Sequence, residues 1–201
     1  AAAGVGSITI ADADVVDVSN LQRQILHRQQ DVGENKARSA ARAMSAINPD
    51  IEVSAIPERL SGESLQGAVS ETDVVVDCSD NFATRYEVNA ACQQHCKPLV
   101  SAAAIRMEGQ LAVFDPRLSD APCYACLYPP TEERLNQGGE RCADSGILGP
   151  VVGMMGSWQA LEVIKLIAGG GSGTPATLWL WDAQQLDMRK LNLQRDPNCS
   201  L

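Results

Sequence analysis

Residues 7–24 read SITIADADVVDVSNLQRQ, and the fold of the chain is organised around this stretch. Its first residues, 7–11, are apolar and partly β-branched, a composition typical of a buried strand. Asp12 and Asp14 follow two positions apart, so both carboxylates can project from the same side of an extended segment. In nucleotide-binding α/β units, a carboxylate at this end of a strand commonly accepts hydrogen bonds from a ribose.

The second half of the stretch carries polar caps and a cation. Ser19 and Asn20 are residue types that cap a helical turn, and Arg23 follows one turn later. A ribose acceptor, a capped turn and a cation together suit a nucleotide with its phosphates. The spacing is equally compatible with a strand, an acidic turn and a surface arginine.

Composition excludes several classes of protein. The chain has 201 residues, 45% hydrophobic and 20% charged, which predicts one soluble domain, residues 1–201, with a single core. A net charge of −9 without a long basic run gives no support for a nucleic-acid partner. No apolar run approaches the roughly 18 residues of a membrane span, and no signal-peptide pattern opens the sequence. The seven cysteines, an odd number, favour reduced thiols and a cytoplasmic location.

Hydrophobic periodicity predicts an α/β fold with a Rossmann-like mixed sheet flanked by helices. The early strands alternate with helices, which implies parallel pairing, whereas the later strands are joined by short connections and read as antiparallel. The predicted strands are 7–11, 52–56, 72–77, 98–104, 109–114, 177–182 and 188–193. The predicted helices are 37–47, 61–69, 82–95 and 151–168. Gly153 and Gly156 in the last helix indicate close packing against the sheet or against a second subunit.

Three further polar residues fall near predicted strand and helix ends. Lys36 opens a helix, where a cation opposes the helix dipole, so this lysine is expected to face an anion. Asp80 and Asn81 follow the strand 72–77, and the carboxyl ends of parallel strands form the ligand-binding edge of such sheets. Acidic strand ends on one edge suit a ribose and a magnesium ion. The alternatives are a solvated lysine and an N-cap role for Asp80.

The cysteines are the second source of candidate chemistry. Cys123-x-x-Cys126 is a partial zinc signal, and Cys199 near the end of the sequence offers one member of a second pair. A redox pair and unligated thiols remain open alternatives. Cys142 follows Glu140-Arg141, and a neighbouring cation can raise thiolate character, although an unreactive thiol is the simpler interpretation of a single cysteine.

The chain resembles the ThiF-type family of enzymes that activate ubiquitin-like proteins. This family includes the molybdopterin-synthase adenylyltransferase and the adenylyltransferase of the thiamine sulfur carrier. The resemblance runs from Ala1 to Leu201 and is strongest at the SNLQRQ and DCSDN signatures. The matching stretches are residues 19–24, Lys36, residues 77–81, Cys123-x-x-Cys126 and residues 149–153. Residues 101–110 resemble the molybdopterin branch more closely than the thiamine branch.

The resemblance implies an ATP-dependent adenylyltransferase acting on the C-terminal Gly-Gly carboxylate of a ubiquitin-like sulfur carrier. The nucleotide-binding residues it implies are Asp12, Asp14, Ser19, Asn20, Leu21, Gln22, Arg23, Gln24, Lys36, Asp80 and Asn81. Among these, Arg23, Lys36 and Asp80 carry the catalytic charge, with Mg²⁺ at Asp80. Structural zinc is implied at Cys123, Cys126 and Cys199, and Cys142 aligns with a loop cysteine that some relatives use for thioester or persulfide chemistry.

The resemblance also implies parts that this sequence does not contain. These are an earlier strand, a glycine-rich phosphate loop and a helix ahead of Ala1, an arginine supplied across a homodimer, and a fourth zinc cysteine beyond Leu201. We therefore expect residues 1–201 alone to bind ATP weakly and to be inactive. Two other functions remain open, namely a non-catalytic module that binds protein tails and a nicotinamide-dependent dehydrogenase.

Overall fold

The computed structural model describes residues 1–136, 146–169, 176–199 and 201. The chain folds into two compact units, residues 1–60 and residues 61–201. Each unit has its own sheet and its own candidate site residues, and the two are described in turn.

The first unit is built on a parallel pair of strands. β1 (Ser7–Ala11) pairs in parallel with β2 (Glu52–Ile56), and α1 (Lys36–Ile47) connects them and packs against both. Two short 3₁₀ turns, Val18–Asn20 and Gln29–Asp31, lie between β1 and α1. Alanines on α1 allow this close packing, since Ala37 and Ala40 are buried. The unit is the strand–helix–strand arrangement that the sequence predicts.

The second unit contains a five-stranded sheet in which the strand order follows the chain. Its strands are β3 (Val75–Asp77), β4 (Leu99–Ile105), β5 (Glu108–Phe114), β6 (Thr177–Asp182) and β7 (Asp187–Asn192). β3 and β4 are parallel, whereas every later pair is antiparallel. Its helices are α2 (Gly62–Ser70), α3 (Phe82–Gln94), the short α4 (Tyr124–Leu127) and α5 (Glu132–Asn136), and α6 (Gly149–Ile167). The predicted fold class, parallel first and antiparallel later, is confirmed.

The core of the second unit lies between α6 and the sheet. α6 packs on β4 and β5, and Met155 contacts the apolar face of both strands. β5 contributes Gly109 at the contact, where a Cβ atom would come within 2.6 Å of the Met155 sulfur, so the glycine makes room for the Met155 side chain. The buried cluster comprises Val100, Ala102, Leu111, Val113, Met155 and Leu166.

The sequence-based prediction for the glycines of α6 is wrong with respect to the sheet. A Cβ atom added at Gly153 or at Gly156 would meet no described atom within 4 Å. The residues of α6 that face the sheet are instead larger ones such as Val151, Met155 and Gln159, all buried. The two glycines lie on the opposite, exposed side of the helix.

Candidate functional site

The turn after β1 is held by the side chain of Asn35. The amide nitrogen of Asn35 donates to the carbonyl oxygens of Asp12 at 2.8 Å and of Asp14 at 3.1 Å. Its amide oxygen accepts from the backbone N–H of Arg38 at 3.1 Å and so caps α1. One side chain therefore joins the strand end to the helix start. Asn35 is not among the sequence-predicted site residues, although an asparagine directly before a helix is a recognisable capping signal.

Lys36 faces an anion, and that anion belongs to the protein. Its Nζ lies 3.0 Å from Oδ2 of Asp14, and the side chains of Lys36 and Asp14 are 13% and 73% exposed. The alternative of an ordinary solvated lysine is therefore wrong. The ammonium group is largely shielded from solvent at the start of α1, whereas the Asp14 carboxylate that it contacts is exposed.

Asp17 is the N-cap residue of the turn that follows. Its Oδ1 accepts from the backbone N–H of Ser19 at 2.8 Å and from the Ser19 hydroxyl at 2.6 Å. The hydroxyl bond is the main reason that the pKa of Asp17 lies below its ordinary value. Oδ1 of Asn20 accepts in return from the backbone N–H of Asp17 at 3.4 Å, which forms a capping box. The prediction is therefore confirmed for Asn20 and corrected for Ser19, which donates to the cap residue Asp17 rather than serving as the cap.

Arg23 and Gln24 complete the first cluster of candidate residues. Nη1 of Arg23 donates to the Ser19 carbonyl at 3.0 Å, which fixes the guanidinium beside the turn. The backbone N–H of Gln24 donates to the Asn20 carbonyl at 2.9 Å, while its buried side-chain oxygen has no hydrogen-bond partner among the described residues. Buried polar atoms are nearly always satisfied, so this acceptor marks a place where a donor is expected. Leu21 is half-buried and Gln22 exposed.

In the second unit, the loop after β3 presents Asp80. Asn81 caps α3, since its Oδ1 accepts from the backbone N–H of Thr84 at 2.9 Å. The alternative that Asp80 serves as the N-cap is therefore wrong, and Asp80 is exposed. Its Oδ1 accepts a long hydrogen bond of 3.5 Å from the side-chain amide of Asn81. A carboxylate held on a defined loop without a capping role is available to bind a ligand.

Three cysteines come together in the second unit. Sγ of Cys123 lies 3.8 Å from Sγ of Cys126 and 3.6 Å from Sγ of Cys199. All three sulfur atoms lie within 4.8 Å of one another, and they form the candidate metal-binding group of the described part of the chain. Burial raises the pKa of the Cys199 thiol to about 11, so an ion binding there would displace a proton.

Cys142, the candidate reactive thiol, lies outside the described residues. Its predicted reactivity therefore stays a prediction.

The helices of the described residues are too short or too polar for a membrane span. Among them, none combines the length and the apolarity needed to cross a bilayer.

Comparison with known proteins identifies the family. The ThiF family matches residues 1–201. The chain belongs to the ThiF family. The sequence-based resemblance is thereby confirmed, and the family is one of adenylyltransferases.

Curated relatives of this ThiF-family chain are similar over its whole length. The sulfur carrier protein ThiS adenylyltransferase of Escherichia coli is 46% identical over 99% of the chain and 77% of the relative. The molybdopterin-synthase adenylyltransferase of the same organism is 40% identical over 100% of the chain and 79% of the relative. The mouse adenylyltransferase and sulfurtransferase MOCS3 is 45% identical over 99% of the chain but only 43% of its own length.

Solved structures confirm the fold. The crystal structure of E. coli MccB with ATP has a TM-score of 0.80 at 24% identity, over 98% of the chain and 59% of MccB. The MccB structure with succinimide has a TM-score of 0.80 at the same identity. The chain thus spans somewhat more than half the length of the solved proteins that share its fold.

The geometry of Asn35 generates a stability prediction. We expect Asn35→Ala to lower the free energy of unfolding by about 2 kcal/mol, because it removes both the cap and the two bonds to the strand-end carbonyls. Asn35→Ser keeps a capping oxygen but is too short to reach those carbonyls, so it should lose only about 1 kcal/mol. Denaturant unfolding of the full-length variants measures both. If Asn35→Ser were as stable as the wild type, the bonds to the two carbonyls would contribute nothing.

Proposed function

We propose that this protein uses ATP to adenylylate the C-terminal Gly-Gly carboxylate of a ubiquitin-like sulfur-carrier protein. The observation that carries the proposal is the identity of 40% to 46%, over essentially the whole chain, to relatives named as adenylyltransferases, among them that of the sulfur carrier protein ThiS. The match of one family to residues 1–201 further supports the view that both units belong to a single adenylation domain.

In the first unit we assign Asp12 to the ribose and residues 19–24 to the phosphates. The Asp12 carboxylate is oriented by the N–H of Asp14 at 2.9 Å, and the Arg23 guanidinium is held beside the turn by the Ser19 carbonyl. Lys36 would contact a phosphate by exchanging its present partner, Asp14. The side-chain oxygen of Gln24 has no hydrogen-bond partner among the described residues. In the bound state it would accept a hydrogen bond from a hydroxyl group or a water molecule.

In the second unit we assign a magnesium ion to Asp80. Magnesium prefers oxygen ligands and usually binds through one or two carboxylates, with water and substrate phosphates at the other positions. The exposed Asp80 carboxylate fits this pattern, since one ligand oxygen is offered and most of the coordination sphere stays open. Asn81, the next residue, fixes the loop by capping α3.

The proposed reaction needs no nucleophile from the enzyme. The carboxylate of the carrier's last glycine is ionised at neutral pH and attacks the α-phosphorus of ATP. A carboxyl–phosphate bond forms, the bond to the β-phosphate bridging oxygen breaks, and pyrophosphate leaves with the electron pair. Negative charge grows on the phosphates, and the cations Arg23 and Lys36 would stabilise it. The remaining task is to hold the extended tail in line with the α-phosphate.

We also propose that Cys123, Cys126 and Cys199 bind zinc. In a tetrahedral site with Zn–S distances of about 2.3 Å, neighbouring sulfurs lie about 3.8 Å apart. The observed distances of 3.8 Å and 3.6 Å match this geometry. Three mutually close thiols favour a metal over a two-thiol redox pair, and a fourth ligand would complete the tetrahedron.

The proposal also specifies which sulfur carrier is the substrate. Residues 101–110 resemble the molybdopterin branch, so we propose the small subunit of molybdopterin synthase as the carrier and molybdenum cofactor biosynthesis as the context. The thiamine sulfur carrier is the second candidate, favoured by the higher identity to the ThiS adenylyltransferase, 46% against 40%. A homodimer and a cytoplasmic location, where zinc thiolates stay reduced, belong to the same proposal.

The proposed reaction predicts carrier-dependent exchange of labelled pyrophosphate into ATP by the full-length protein. A carrier ending in Gly-Gly should support exchange, whereas the same carrier without its last glycine should not, because the attacking carboxylate is displaced. Comparing kcat/KM for the two candidate carriers identifies the branch. Binding of an intact carrier without any exchange would instead indicate a non-catalytic module that binds protein tails.

Lys36 provides the test of the phosphate assignment. We expect Lys36→Met to lower kcat/KM for exchange roughly 10²- to 10³-fold, as expected for removal of a charge-stabilising group. Arg38→Met is the matched control, because Arg38 is an exposed cation on the same helix and should leave the rate unchanged. Equal losses in both variants would show a general electrostatic effect rather than a phosphate contact by Lys36.

The zinc assignment predicts a loss of metal in cysteine variants of the full-length protein. Cys126→Ser should lower the zinc content, measured by inductively coupled plasma mass spectrometry, well below the roughly one ion per chain of a structural site. Cys96→Ser is the control, since Cys96 is exposed and lies outside the cluster. Full zinc retention in Cys126→Ser would exclude this residue as a ligand.

A further inference from the structure

The loop that carries Asp80 is fixed by hydrogen bonds to a buried carboxylate. Asp77, the last residue of β3, is 4% exposed. Its Oδ1 accepts from the backbone N–H of Ser79 at 2.9 Å and from the Ser79 hydroxyl at 2.7 Å. Its Oδ2 accepts from the Ser101 hydroxyl at 3.1 Å. Two of the polar groups of Ser79, the residue next to Asp80, are thereby fixed.

The third polar group of Ser79 is held by Arg85. Nη2 of Arg85 donates to the Ser79 carbonyl at 2.7 Å, and Nε lies 3.8 Å from Oδ2 of Asp77. This carbonyl belongs to the peptide group that leads directly into Asp80. Arg85 is 9% exposed, so its charge is buried together with that of Asp77. The two buried charges of Arg85 and Asp77 therefore interact with the backbone of Ser79 and with each other rather than with water.

The guanidinium of Arg85 is itself anchored on its far side. Nη1 donates to the Tyr124 hydroxyl at 3.5 Å, and the group lies 5.9 Å from the centroid of the Phe82 ring. Tyr124 is fixed in turn, because its backbone N–H donates to Oδ1 of the fully buried Asn89 at 2.9 Å. A planar fork of donors makes these contacts together, which a lysine ammonium in the same place does not reproduce.

We propose that Arg85 is a positioning residue that holds Asp80 in the orientation required to bind the divalent cation. The inference rests on the assignment of Asp80 as the magnesium ligand. Groups that orient a metal ligand are typically worth about 10- to 100-fold in metal affinity. Arg85 acts through the peptide group between Ser79 and Asp80, with Tyr124 as its fixed support.

The test measures metal affinity directly in the full-length protein. Mn²⁺ is titrated in the presence of a non-hydrolysable ATP analogue, and free Mn²⁺ is followed by electron paramagnetic resonance. Arg85→Lys should weaken Mn²⁺ binding by roughly 10-fold. Zinc content and binding of the analogue without a divalent cation should stay unchanged, which a general loss of structure would not allow.

Two further variants test the hydrogen bond between Arg85 and the Tyr124 hydroxyl separately from the packing of the neighbouring rings. Tyr124→Phe removes only the hydroxyl that Arg85 contacts and should weaken Mn²⁺ binding in the same direction, by less than Arg85→Lys. Tyr86→Phe is the matched control, because the Tyr86 ring packs against Tyr124 but its hydroxyl donates to the Tyr128 carbonyl. This control should bind Mn²⁺ as the wild type does. If Arg85→Lys does not fold, the comparison of Tyr124→Phe with Tyr86→Phe still tests the positioning role of Arg85.

Asp80→Asn distinguishes failure of the inference from failure of the proposed function. If Asp80→Asn loses Mn²⁺ affinity while Arg85→Lys and Tyr124→Phe retain it, Asp80 is the ligand and the positioning role is wrong. If Asp80→Asn binds Mn²⁺ as tightly as the wild type, the metal assignment is wrong and the role of Arg85 falls with it. A lower melting temperature in Arg85→Lys with unchanged Mn²⁺ affinity also overturns the proposal.

Discussion

A buried carboxylate must be hydrogen-bonded or paired, and the carboxylate of Asp77 imposes this requirement on the centre of the second unit. Ser79, Ser101 and Arg85 all direct polar groups to it, from the following loop, the neighbouring strand and the next helix. Removing water from a carboxylate costs free energy, so a buried Asp77 is stable only with these hydrogen-bond and ion-pair partners. The backbone carbonyl of Asp77 also accepts from the Gln159 amide at 2.9 Å, which ties α6 to the same point.

The first unit solves a similar problem with a neutral side chain. The carbonyls of Asp12 and Asp14 leave the strand pairing at the end of β1, and both are satisfied by the amide of Asn35. In each unit a polar side chain from a helix or its cap holds the turn that carries a candidate ligand residue. The consequence is the same in both places, since the backbone is fixed while the carboxylates of Asp14 and Asp80 stay exposed.

The sequence was informative where a signal repeats within a few residues. Alternating apolar residues predicted β6 at 177–182 as observed, and the short connection after β4 predicted an antiparallel hairpin. The contacts that organise the sites join residues far apart in the chain. Asn35 bonds Asp12 across 23 positions, Arg85 contacts Tyr124 across 39, and Gln159 reaches Asp77 across 82. Hydrophobic periodicity within one element does not predict contacts between residues so far apart in the sequence. These contacts are seen only in the folded structure.

One local rule is broken at a position with a candidate role. A lysine at the first position of α1 opposes the helix dipole, and the structure compensates it with Asp14 rather than with solvent. Asp80 directly precedes the N-cap residue Asn81, where a negative charge suits the helix dipole. Three thiols lie close together without a disulfide among them. Natural sequences are locally consistent except where function requires otherwise, so the conflict at Lys36 supports the anion-binding role proposed for it, and the clustered thiols separately support the proposed metal site.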